Sequence, residues 1–278
     1  MAKDSKIEWT HHTFNPWWGC AKVSPACRNC YAEAWAKRVG NDIWGKDSDR
    51  RFFTDKHWSE PIKWNREAES CGERRRVFCA SMADVFERKA GLERWRERLW
   101  ALIEKTPYLD WLLLTKRPQN IERMAPWAGG LWPENVWLGT TVENQHWAEV
   151  RLPHLLKHGA KVRFLSCEPL LGEIDLTRWA RDQSLHKIDW VIAGGESGAS
   201  SRPMNPEWAR SLRDQARAEG VAFHFKQWGH WAPKELLTDK QRKVVTIGAN
   251  VMASAGKKAA GRELDGRTWD ELPIAALA

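Results

Sequence analysis

Trp111-Leu112-Leu113-Leu114-Thr115-Lys116-Arg117 is a short β-rich apolar run that ends abruptly in polar residues. The same pattern recurs on both sides of it. Ile7-Glu8-Trp9-Thr10 and Val77-Phe78-Cys79-Ala80-Ser81 come before. Val136-Trp137-Leu138-Gly139-Thr140, Val162-Arg163-Phe164-Leu165-Ser166, Trp190-Val191-Ile192-Ala193-Gly194 and Ala222-Phe223-His224-Phe225-Lys226 come after. Longer amphipathic stretches at 91–105, 144–158 and 206–219 separate the runs, and Cys30 to Val39 reads as a further helix. Asn205-Pro206 with Glu207 behind it is a helix start, and Gly220 is a stop. Strands that alternate with helices are βα units and build a parallel sheet. Seven such units with near-continuous apolar strands predict an α/β fold, a parallel βα barrel or partial barrel buried on both faces. A doubly wound open sheet is the alternative, because one sequence does not state its strand order. Residues 1–228 are assigned to the barrel, and 229–278 to a C-terminal extension packing on it.

Composition narrows the class. A chain of 278 residues makes one large domain or two small ones and buries a core without staples. With 42% hydrophobic and 29% charged residues it is not a disordered chain. No apolar run approaches the ~20 residues of a membrane span. Met1-Ala2-Lys3-Asp4-Ser5-Lys6 leads into no signal-peptide core, so a cytoplasmic location is expected. Forty-four Lys and Arg against 36 Asp and Glu leave +8, and nucleic acid, DNA or RNA, is the commonest partner of a basic chain. Tryptophan is abundant, 20 against 2 Tyr, and indoles both stack on bases and fill cores. Arg74-Arg75-Arg76 and Arg94, Arg96 and Arg98, with Trp95 and Trp100 interleaved, suit a phosphate backbone or a solvated helix face.

The polar residues past each strand are the candidate site, since α/β barrels build theirs at the carboxyl ends of several strands. They are Asp84, Thr115-Lys116-Arg117, Thr141 and Glu143, Ser166 and Glu168, Glu196-Ser197 and Lys226-Gln227. Opposite charges there suit a polar cofactor or a phosphate, or else tie loops together as ion pairs. Gly194-Gly195 allows close backbone approach by a ligand or makes a tight βα turn.

Of six cysteines, three fall within eleven residues, Cys20, Cys27 and Cys30, spaced C-x6-C-x2-C on the loop after the first strand. In a reducing compartment such a cluster is more often a metal site than a disulfide set. Three thiolates are one short of a closed zinc site and of a fully ligated cubane. A cubane held by three cysteines keeps one iron open, and zinc would take His11 or His12 as a fourth ligand. Cys71, Cys79 and Cys167 read as small core residues. Trp9, Trp17 and Trp18 either pack over the loop or fill the end of the barrel.

The placement of this loop, with Tyr31 behind it, resembles radical S-adenosylmethionine enzymes. Their usual spacing is C-x3-C-x2-C, and the first gap here is three residues longer. Phe14-Asn15-Pro16-Trp17-Trp18-Gly19-Cys20, Ser24-Pro25 and Cys27-Arg28-Asn29-Cys30-Tyr31-Ala32-Glu33 are similar to the phage-associated three-cysteine-motif family, which is radical-SAM-like. The similarity continues through Leu114-Thr115-Lys116-Arg117-Pro118, Gly139-Thr140-Thr141-Val142-Glu143 and Leu165-Ser166-Cys167-Glu168-Pro169-Leu170. It extends to Gly194-Gly195-Glu196-Ser197-Gly198, Phe225-Lys226-Gln227-Trp228-Gly229 and Gly261-Arg262-Glu263-Leu264-Asp265-Gly266.

The resemblance implies a [4Fe-4S] cluster on Cys20, Cys27 and Cys30, S-adenosylmethionine, and an external electron donor of flavodoxin or ferredoxin type. Lys116, Thr141, Glu143, Glu168, Glu196 and Ser197 are then the residues expected to hold the cofactor. The Gly-Gly-Glu of radical enzymes ends the second strand and holds the cofactor's amino group. Here that triplet ends a late strand, and the role is not carried over. The substrate implied is a nucleic-acid base, in lesion repair resembling spore photoproduct lyase or in base modification; no catalytic residue is assigned. A non-catalytic, metal-stabilised nucleic-acid-binding phage accessory protein is the alternative class. A radical enzyme acting on a peptide or small molecule is the other.

Overall fold

The structure is a computed structural model and describes residues 3–238 and 243–273. Parts of the expected extension, at 239–242 and 274–278, lie outside the described residues. The strands are β1 (His12–Thr13), β2 (Arg75–Cys79), β3 (Leu109–Thr115), β4 (Val136–Thr141), β5 (Val162–Cys167), β6 (Trp190–Gly194) and β7 (Ala222–Gln227). They form a seven-stranded parallel sheet whose order is the order of the sequence. A doubly wound sheet reverses its order at a switch point. This one does not reverse, so the winding is that of a βα barrel or partial barrel.

Burial along β3, β4 and β6 is nearly continuous instead of alternating, as in a parallel sheet covered on both faces. Register follows from the apolar runs: Val77 pairs with Trp111, and Trp111 with Val136. The helices fall close to the amphipathic stretches, at Tyr31–Arg38, Glu93–Glu104, Gln145–Leu155 and Pro206–Ala218. Asn205 caps the last of these, its side chain accepting from the Glu207 N–H, and Gly220 follows it with φ 70°.

The first strand is the exception. Ile7-Glu8-Trp9-Thr10 is a turn, and β1 is the two residues after it, His12 opposite Val77 and Thr13 opposite Phe78. Trp9 is buried against Phe78, 4.6 Å between ring centres, and the Thr10 hydroxyl donates to the Arg76 carbonyl. Tertiary packing of one tryptophan, not strand pairing, gives 7–10 its apolar signal.

The chain divides into two compact units. The first comprises residues up to Ser24, Ala32–Thr140 and Lys157–Val162; the second comprises Pro25–Tyr31, Thr141–Leu156 and the chain from Arg163 onward. The core of the first holds Phe14, Trp17, Trp111 and Trp137, and that of the second Phe164, Trp190, Phe223 and Phe225.

The second unit also carries an antiparallel sheet of β8 (Trp231–Pro233), β9 (Val244–Ile247) and β10 (Asn250–Ser254), with β10 central. Past this sheet the chain returns to the parallel strands of its own unit. The Phe225 N–H donates to the Trp269 carbonyl, and the Trp190 indole donates to the Glu271 carbonyl. Among the described residues no helix is long and apolar enough to cross a membrane.

Candidate functional site

In the first unit the site begins at Gly19-Cys20. Gly19 has φ 110°, and a Cβ there would stand 2.5 Å from the Ile43 carbonyl, so only glycine lets the chain turn into the cysteine loop. The Cys20 thiol faces Arg117, whose Nη1 lies 3.6 Å from Sγ. The same guanidinium donates to Asp84 Oδ2 at 2.9 Å and to the Ala21 carbonyl at 2.7 Å. Asp84 also accepts the Thr115 hydroxyl and the N–H groups of Lys116 and Phe86. Burial works against ionisation of Asp84, but Arg117 and these hydrogen bonds outweigh it and hold the carboxyl below its usual range. Burial pushes the Cys20 thiol up to about 12, and Arg117 opposes that rise. A second buried pair supports the loop: Arg50 forks onto Glu87, which accepts the Ala21 N–H. Lys116 reaches this group through its backbone, and its side chain is half-buried.

In the second unit the Pro25–Cys27 turn and the segment to Tyr31 carry Cys27 and Cys30, both half-buried. Two carboxylates from strand ends hold this segment. Glu143, fully buried, accepts the Ala26 N–H at 3.4 Å and pairs with Arg151 at 2.7 Å. Arg151 also donates to the Thr141 carbonyl and lies over the Trp147 ring. Glu196 accepts a fork from Arg202 and a hydrogen bond from Asn29 Nδ2 at 3.0 Å. Arg202 in turn donates to the Pro25 carbonyl. Burial raises the Glu196 carboxyl, but Arg202 and Asn29 prevail and hold it below its ordinary value.

A third cluster in the second unit joins the ends of β5, β6 and β7. Lys226 Nζ donates to both Glu168 oxygens at 2.9 and 2.8 Å. Gln227 Nε2 bridges Glu168 and Ser197 at 3.1 and 2.8 Å. The glycine pair before Glu196 is explained by backbone packing: a Cβ on Gly195 would stand 1.9 Å from the Trp228 carbonyl oxygen.

Ser166 lies within β5, paired with Ile192, and the other strand-end residues read from the sequence are located as above. Glu143 and Glu196 meet the segment that bears Cys27 and Cys30; Glu168 and Ser197 share Gln227; Thr141 stands beside Arg151. Sequence reasoning missed Arg50, Glu87, Asn29 and Arg151, none of which sits at a strand end. The Trp residues near the loop are core: Trp9 and Trp17 are 2% and 0% exposed. His11 and His12 already use Nδ1 to accept the N–H groups of Arg76 and Asp4, and burial pushes His11 down to about 4.

None of the six cysteines is in a disulfide. Among the described residues no group of three or more His, Cys, Asp or Glu is placed to hold a single metal ion. A single zinc gathers its ligands at about 2.0–2.3 Å, whereas a cubane spreads three thiolates over three irons. The buried polar atoms without a hydrogen-bond partner among the described residues include the Thr141 hydroxyl and Gln227 Oε1, both at strand ends. A buried polar atom without a partner costs about 1–3 kcal/mol, which a polar ligand would recover. Cysteines outside any disulfide, with a guanidinium at Cys20, and unfilled polar atoms beside Arg151 and Glu168 fit a thiolate-held cluster with a polar cofactor.

A sequentially ordered parallel sheet with a cysteine loop after its first strand defines an α/β protein of the βα-barrel or partial-barrel class. The fold is similar to that of a cysteine variant of spore photoproduct lyase, with a TM-score of 0.50 at 14% identity, covering 92% of this chain and 72% of that one. A double mutant of the same lyase, with bound AdoMet and dinucleoside spore photoproduct, matches at a TM-score of 0.47 and 12% identity, covering 90% and 70%. The chain belongs to the family described as protein of unknown function (DUF5131), which it matches over residues 4–273. No curated protein matches it.

Proposed function

We propose that this protein is a radical S-adenosylmethionine enzyme that holds a [4Fe-4S] cluster on Cys20, Cys27 and Cys30 and acts on a nucleic-acid base. The observation that carries the reading is the loop of three cysteines, none in a disulfide, after the first strand of a fold similar to spore photoproduct lyase. When bound, such a cluster with an open iron supplies one-electron cleavage of S-adenosylmethionine, fed by an external donor of flavodoxin or ferredoxin type.

The chain's own residues bind and position. Arg117 favours the thiolate of Cys20 and opposes, without cancelling, the burial that raises it. Glu143 and Glu196 serve the cofactor through the segment they hold, fixing Ala26, Asn29 and Pro25 around the other two thiols. Glu168, Ser197, Thr141 and Lys116 are left to meet the cofactor's ribose, amino and carboxylate groups. A carboxylate accepts paired hydroxyls, the Thr141 hydroxyl offers an unfilled donor, and Lys116 offers a cation. The +8 charge supports a nucleic-acid substrate, in lesion repair or base modification, and the fold is similar to that of spore photoproduct lyase.

Anaerobic reconstitution with iron and sulfide tests this reading. Replacing Cys20, Cys27 or Cys30 by Ala should abolish the absorbance near ~400 nm of the thiolate-held cluster, while Cys71→Ala, Cys79→Ala and Cys167→Ala keep it. Reduction with dithionite in the presence of S-adenosylmethionine should then release methionine and 5′-deoxyadenosine. Equal loss in both cysteine groups sinks the cluster assignment. An intact cluster that gives neither product sinks the enzyme and leaves a metal-stabilised nucleic-acid-binding protein.

A further inference from the structure

Phe52, in the first unit, is 38% exposed, and one face of its ring is already covered. Trp95 stacks against that face, 4.7 Å between centroids and 9° from parallel. Trp58, 4% exposed, stacks on Trp95 in turn, and the Arg98 guanidinium lies 4.5 Å from the Trp58 ring. Phe52 is therefore a flat surface braced from behind by the half-buried Trp95 and, behind that, the buried Trp58, with little side-chain freedom left to lose.

Phe52 also lines a cavity of about 580 Å³, with Asp49, Lys89, Glu93 and Arg94 among its walls. That volume is ample for one nucleotide unit and lies within the usual range of ligand sites. The charges of the lining decide the chemistry of the guest. Lys89 and Arg94 are balanced by Asp49 and Glu93, and Arg50, also in the wall, has its charge met by Glu87. A bare phosphate or polyphosphate would find no net attraction there. A nucleobase is flat, uncharged and rimmed with both donors and acceptors, and it matches an aromatic floor with both kinds of polar group around it.

We infer that this cavity is a stacking site for one unpaired base of a single-stranded nucleic acid, with Phe52 as the platform. The inference rests on the nucleic-acid part of the proposed function and not on its radical chemistry. Base–aromatic stacking is tolerant of sequence, since every base has a π-face, so the site would hold a strand without reading it. The net positive charge of the chain supplies the attraction for phosphates that the cavity itself lacks.

The test is the affinity of the full-length protein, without iron or S-adenosylmethionine, for a fluorescently labelled 12-nucleotide single strand. Phe52→Ala should weaken binding about fivefold or more, the lower end of one lost stacking contact. It should leave the slope of log affinity against log salt unchanged, because no phosphate contact is lost. Phe52→Trp should keep the affinity. An unchanged affinity in Phe52→Ala overturns the site, and so does a wild-type protein that binds no single strand. Displacement by a free mononucleotide at equal concentration of base assigns the cavity to free nucleotides and overturns the strand. A protein that cleaves S-adenosylmethionine but fails here refutes this inference alone. One that binds as stated but holds no cluster refutes the radical reading alone.

Discussion

Asp84 illustrates how a single strand-end residue is fixed by its surroundings. Its carboxylate is buried, and Arg117, the Thr115 hydroxyl and two backbone N–H groups satisfy it. Removing the cation alone leaves a buried charge with no counter-charge, and breaking such a pair costs about 3–5 kcal/mol. Arg117→Leu should therefore lower the urea midpoint of unfolding steeply at neutral pH. The pH dependence separates this from a simple packing defect. In the native protein the carboxyl is held below its unfolded value of ~3.9, so its contribution is complete above that pH and is lost as pH falls through the lower folded value. Without Arg117, burial becomes the dominant influence and raises the folded value above the unfolded one. The variant's deficit should then shrink as pH falls towards 4, where the acid is neutral in the folded state. A deficit that stays constant from pH 7 to 4 means that Arg117 acts through packing and not through Asp84.

The Pro25–Cys27 turn with the segment to Tyr31 is the element whose placement the proposed chemistry most depends on, and Glu196 is its main tether. Glu196→Gln keeps the shape but loses the ionic fork with Arg202. Amide hydrogen exchange over 25–31 should then quicken in the cluster-free protein, while the Pro206–Ala218 helix keeps its protection. Equal protection in both proteins would mean that Glu143, through the Ala26 N–H, holds the segment alone. Legibility in the sequence divides along the same line. Strands β2 to β7 were readable because each contains a short, nearly continuous apolar run, and near-continuous burial needs no partner to be recognised. The first strand was not, because two residues have no period and their pairing with Val77 and Phe78 is set from 65 residues away. Glu143, Glu168 and Glu196 were readable as polar ends of apolar runs. Their partners Arg151, Asn29 and Lys226 were not assigned to them, since contacts such as Asn29 to Glu196 span 167 residues and leave no local signature. Gly194-Gly195 looked like a ligand cradle in the sequence and proves to be needed for the approach of the Trp228 carbonyl.

For the whole molecule, the relevant quantity is how much of its positive charge is available to a partner. Several cations are spent internally: Arg50 on Glu87, Arg117 on Asp84, Arg151 on Glu143, Arg202 on Glu196 and Lys226 on Glu168. What can act on a polyanion is the excess of eight positive charges, carried by side chains whose charge no carboxylate in the chain cancels. That sets both a floor and a ceiling. If the excess contacts phosphates, affinity for a single strand should fall about tenfold or more between 50 and 200 mM salt, as counterions released on binding become costlier to release. If every one of the eight made a contact, the slope of log affinity against log salt would reach about −6 on a single strand and no steeper. A steeper slope would require internal ion pairs to open on binding, and a flat one would remove nucleic acid as the partner. Titrating the labelled strand at four salt concentrations gives the slope directly. A value between about −2 and −6 is the outcome expected if the chain holds a strand by its backbone, as proposed.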